Sequence, residues 1–81
     1  MIFLIEYDRR KGKIVTIRSF QDSEKSYAEK SRLSVELDLR REKREHEVVL
    51  LEAADEIALH RTHRRYFEDI SQIVKSANGS N

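Results

Sequence analysis

Glu47-Val48-Val49-Leu50-Leu51-Glu52-Ala53 is the stretch on which the fold turns. Four consecutive apolar residues, two of them β-branched, stand between charged ends, and long helical patterns of different phase lie on either side. A short apolar run so placed suits a strand better than a helix. Apolar side chains on both of its faces mean that both faces of the sheet are covered. Taken alone, the stretch reads as the central buried strand against which the rest must pack.

Upstream, Ile2 to Tyr7 and Ile14 to Phe20 read as two strands rich in Ile, Val, Thr and aromatics. Between them runs Asp8-Arg9-Arg10-Lys11-Gly12-Lys13, in which Asp8 can cap the turn and Gly12 can take the positive φ of a bulged β-hairpin loop. In the second strand Ile14, Thr16 and Arg18 share one face and Val15, Ile17 and Ser19 the other; the mixed first face points to a sheet edge. Asp22 or Ser23 can cap a helix, and neither Gly nor Pro interrupts Glu24 to His46, so one long helix is expected there. At about 100° per residue, Ala28, Arg32, Val35 and Leu39 form one stripe, while Leu33 and Leu37 form a second, well away from it.

Downstream, Asp55 can cap a second helix running to about Lys75. Leu59, Tyr66, Phe67, Ile70, Ile73 and Val74 fall in one sector with His63 among them, and Arg61, Arg64, Arg65, Gln72 and Lys75 lie opposite, which makes this an amphipathic helix. Ser76 to Asn81 has no apolar anchor, so residues 1–75 are expected to form a single α+β domain and 76–81 a disordered tail.

The element order is therefore β-β-α-β-α, a two-layer α/β arrangement with a hairpin, a long crossover helix and a C-terminal amphipathic helix. Right-handed crossover places the third strand beside the first, giving sheet order 2-1-3 with strand three antiparallel to strand one and parallel to strand two.

Composition excludes more than it assigns. Sixteen basic groups nearly cancel fifteen acidic ones, so no global field advertises a polyanionic partner. Cysteine is absent, which rules out disulfides and thiolate zinc sites and suits a reducing, cytoplasmic setting. Met1 to Ile5 is too short an apolar run for a signal peptide or a membrane span. No nucleophile elbow or Gly-rich phosphate loop occurs, and the two glycines lie in the hairpin and the tail. Neither an enzyme nor a cofactor or small-molecule site is expected.

Three constellations remain. Glu56, His60 and His63 have the spacing to share a helix face, and two imidazoles with a carboxylate is a known metal set; ligands from a single helix and the lack of a fourth make it a weak candidate, so no metal site is expected. The basic hairpin tip, Arg9, Arg10, Lys11 and Lys13, with the helix face Arg61, Arg64 and Arg65, can form a phosphate-binding surface, so nucleic-acid binding is the alternative function. The favoured function is protein interaction, with self-association as a homodimer. A helix over 23–45 is about 35 Å long, whereas a seven-residue strand spans about 23 Å. The overhanging stripe of Leu33 and Leu37 and the apolar end Ile70, Ile73 and Val74 then need cover from another subunit.

Overall fold

Strand β1, Ile2–Asp8, is the axis of the molecule. The computed structural model describes residues 1–67. β1 pairs antiparallel with β2, Lys13–Phe20, on one side and with β3, His46–Glu52, on the other, in the order β2-β1-β3. This is the expected order, and it corrects the reading of Glu47 to Ala53 as the central strand. Ile2, Phe3, Leu4 and Ile5 are all buried, whereas β3 is half-buried along most of its length. The four-residue apolar run arises because both faces of even this edge strand pack under helices.

The hairpin forms as its residues dictate. The Asp8 carboxylate accepts from the Arg10 and Lys11 N–H groups at 2.9 and 3.1 Å, and the Gly12 N–H donates to the Asp8 carbonyl at 2.8 Å with φ of 66°. One detail departs from simple alternation. Glu6 faces Thr16 and Tyr7 faces Ile14, which leaves Val15 as the extra residue of a β-bulge. The bulge puts Ile14 on the same face as Ile17 and Ser19, not with Thr16 and Arg18, so Ile14 joins the core beside Tyr7.

After a 3₁₀ turn at Asp22–Glu24, helix α1 runs from Lys25 to Glu42. The Glu24 side chain accepts from the Gln21 N–H at 2.8 Å and so fixes the entry to this turn. The helix stops before His46 although no Gly or Pro intervenes. Lys43 takes the left-handed conformation at φ of 56°, and the Arg44 N–H reaches back to the Leu39 carbonyl at 3.0 Å. That 6→1 bond is the Schellman closure, made here by a lysine in the position glycine usually fills. The shorter helix spans about 27 Å, against about 23 Å for a seven-residue strand, so it barely overhangs the sheet.

The two helices take one face each. Ile2, Leu4, Phe20 and Ala28 form the core under α1, with Val48 and Leu50 packed against it. Phe3, Ile5, Leu59 and Tyr66 form the opposite core with Tyr7, Ile14, Val49, Leu51 and Phe67. β1 alternates between the two, and each large side chain it buries contributes about 1.5–3 kcal/mol. Asp55 caps helix α2, Glu56–Thr62, by accepting from the Ala58 N–H at 2.8 Å. α2 ends at Thr62 rather than continuing; His63 at φ −125° and ψ 52° breaks it, and a 3₁₀ turn at Arg64–Tyr66 follows. The turn still delivers Tyr66 and Phe67 to the sheet. The expected continuation to Lys75 and the tail 76–81 lie outside the described residues.

Candidate interaction surface

The long helix carries the apolar stripe that the sheet does not use. Ala28 and Leu39 are buried and Arg32 and Val35 half-buried, so this stripe faces the sheet. Leu33 and Leu37 sit one turn apart on the outward side, 52% and 49% exposed. Their exposure follows from the direction they point and owes little to overhang. Beside them, Glu36, Leu39, Arg40 and Lys43 line a shallow recess of about 270 Å³ together with His46 and Val48 of β3. The Leu33 side of α1 therefore leans toward the β3 margin, whereas Tyr27, on the other side, packs edge-on against Phe20 of β2 at 5.7 Å. Ile70, Ile73 and Val74, the other half of the expected apolar surface, lie outside the described residues.

The basic residues separate into two groups. On the α2 face, Arg65 donates to the Glu47 carboxylate at 3.0 Å and to the Tyr66 hydroxyl at 2.7 Å, and Tyr66 donates to Glu47 at 2.6 Å. Arg9 approaches the same carboxylate at 3.5 Å. The Tyr66 hydroxyl first, and then the Arg65 charge, hold the Glu47 carboxyl below its ordinary range. Burial pushes the Tyr66 phenol up, and the bond to Tyr66 raises Arg65. Arg9 and Arg65 are thus brought together on one acid that offsets part of their charge. Arg10 and Lys11 turn the other way and line an open groove of about 780 Å³ with Lys43, Arg44, Glu45, Asp8 and His46. Lys13, Arg61 and Arg64 are exposed, and Lys13 borders a recess with Tyr66 and Phe67.

His46 sits at the floor of that groove. Its Nδ1 is 2.5 Å from Glu6 Oε2 and its Nε2 is 3.5 Å from Asp8 Oδ2. The first contact is a hydrogen bond joining β3 to β1, and the second is a longer approach of ring to carboxylate. The Asp8 carboxyl is lowered, chiefly by the Lys11 backbone N–H. Sequence alone does not reveal this contact, because it depends on the register that sets Asp8 opposite His46 and brings Glu6 to the ring across forty residues of chain.

Glu56, His60 and His63 are not assembled. The break at His63 removes it from the helix, and His60 stacks on Phe67 with ring centroids 3.6 Å apart. Among the described residues no group of three His, Cys, Asp or Glu side chains is placed to hold a metal ion. Also among the described residues, no helix is long and apolar enough to cross a membrane.

In comparisons with known proteins, no family model, no curated protein and no solved structure matches the chain.

Proposed function

We propose that this chain is a non-catalytic protein-interaction module of the cytoplasm that associates with itself through the outward side of α1. The observation that carries the reading is the pair Leu33 and Leu37, half-exposed one turn apart on a helix whose opposite stripe already serves the core. Apolar side chains scattered singly over a surface need no explanation, but Leu33 and Leu37 each stand three residues before a side chain, Glu36 and Arg40, that lines the recess with Val48 at the β3 margin. An 81-residue chain also buries a modest fraction of its surface, which makes shared cover valuable. The test is Leu37→Glu, at a position outside both core clusters. It should leave the circular dichroism spectrum intact and reduce the mass found by light scattering to that of one chain. A Leu37→Glu protein that keeps the mass of the unaltered assembly would remove α1 from the interface.

A polyanion-binding reading keeps one specific observation in its favour, the convergence of Arg10, Lys11, Lys43 and Arg44 on one groove. Asp8, Glu45 and the C-terminal end of α1 dilute that charge. Under this reading, binding to generic duplex falls steeply with salt and is lost when Arg10 and Lys11 become Glu. Failure to bind even at low ionic strength, where charge effects are largest, retires it.

A further inference from the structure

The two margins of the sheet are not alike. β2 is blunted: the bulge at Val15 breaks its regular ladder, and Lys13 and Arg18 project from it. β3 has no such bulge, and its charged residues, Glu47 and Glu52, stand toward its ends. It runs seven residues without a bulge in its register against β1, with Val48 to Leu51 at its centre, and among the described residues no strand pairs with its outer side. An unbroken apolar edge strand is a template for another chain.

The direction of its free hydrogen-bonding groups follows from the inner side. Met1 and Ala53 exchange both bonds, at 2.9 and 3.1 Å, so they form a hydrogen-bonded pair of the β1–β3 ladder. Such pairs alternate along an antiparallel ladder. Leu51, Val49 and Glu47 therefore bond inward to β1, and His46, Val48, Leu50 and Glu52 direct their N–H and C=O groups to the outer edge.

From this geometry we infer that a second copy of the chain docks on β3 by antiparallel β3-to-β3 pairing about a two-fold axis at Val49, joining the two sheets into one of six strands. The inference rests on the self-association proposed above and specifies its interface. In this register Val48 of one protomer faces Leu50 of its partner, and His46 faces Glu52. All four outward-directed residues then meet as hydrogen-bonded pairs, each exchanging both N–H···O bonds. The full strand is used, apolar meets apolar at the centre, and no like charges are opposed. A slip of one residue per chain shortens the pairing and sets His46 against Leu50 or Val48 against Glu52.

The helices fit the same operation. α1 packs over β3 and β1, more closely on β3. Strands lie about 4.8 Å apart, so a helix between β1 and β3 and displaced toward β3 falls about 8–10 Å from its two-fold mate, the range of packed helices. The sides brought together are those carrying Glu36 and Arg40, which line the recess with Val48 of β3, and Leu33, one turn before Glu36. Glu29, one turn before Leu33, approaches the partner's basic end at Arg40 and Lys43. One symmetric contact thus covers both the open edge and the leucine stripe.

Residue-resolved amide hydrogen exchange on the full chain tests this, at concentrations above and below the dimer midpoint found by light scattering. The Val48 and Leu50 amides should exchange rapidly in the dilute sample and slow at least tenfold in the concentrated one. Val49 and Leu51, bonded within the protomer, should change far less. A second arm uses Glu52→Pro, which removes one outward N–H at an exposed strand end and should raise the dimer dissociation constant about tenfold. A dimer whose Val48 and Leu50 amides stay equally fast at both concentrations overturns β3 pairing while leaving self-association standing. A monomer with both amides already slow means that another segment of the chain covers the edge, which also overturns it. A monomer with both fast contradicts self-association as well.

Discussion

Two residues show how much a single side chain decides. Lys43 holds a left-handed backbone at φ of 56°, a conformation that costs a side chain with a Cβ about 1 kcal/mol or more relative to glycine. Lys43→Gly should raise the unfolding free energy by about 0.5–1 kcal/mol, after allowing for glycine's freer unfolded chain, as read from chemical denaturation. Glu47 makes the second case. Its carboxyl is held below the ordinary 4.5, first by the Tyr66 hydroxyl, so its contribution to stability is complete above that value and is lost as pH falls through the lower folded value. Tyr66 runs in the opposite sense: burial raises its phenol above 10.0, so that contribution is present below pH 10 and is lost as pH rises through the folded value. Tyr66→Phe should cost about 1 kcal/mol at neutral pH and flatten the fall in stability between pH 5 and pH 3, measured by urea titration at each pH. An unchanged acid slope would mean that the Tyr66 bond does not hold the Glu47 carboxyl down.

At the scale of elements, the packing makes a sharp distinction on one helix. Leu59 of α2 is fully buried between Ile5, Phe3 and Tyr66, while Ile57, two residues earlier, is 70% exposed. Leu59→Ala should cost about 2–5 kcal/mol, and Ile57→Ala about 0.5 kcal/mol or less, when both are compared by thermal unfolding. Much at this scale was legible in the residues. Asp8 and Gly12 announce the hairpin, Asp55 announces the start of α2, and crossover handedness places β3 beside β1. Three features were not legible, each for a physical reason. The end of α1 depends on a lysine in a glycine's conformation, which no propensity flags. The bulge at Val15 is visible only once Glu6 and Tyr7 have chosen their partners. An apolar run such as Val48 to Leu51 tells how many faces are covered, not how many neighbours the strand has, and so it resembles a central strand while lying at the edge. The site shared these limits: the outward stripe of Leu33 and Leu37 followed from helical spacing, whereas the meeting of His46 with Glu6 and Asp8 required the long-range register.

At the scale of the molecule, the described residues form a three-stranded sheet with one helix on each face, one edge blunted by a bulge and the other, among those residues, open. Folding and association are then expected to be linked, and the melting temperature should rise with protein concentration, since only the folded chain presents the β3 edge and the α1 stripe. Sedimentation equilibrium of the unaltered chain over a dilution series from high to low micromolar concentration tests this central claim most directly. A mass near twice 9.6 kDa is expected in the concentrated cells, falling toward 9.6 kDa on dilution along a single monomer–dimer curve. A folded species of 9.6 kDa at every concentration would contradict it.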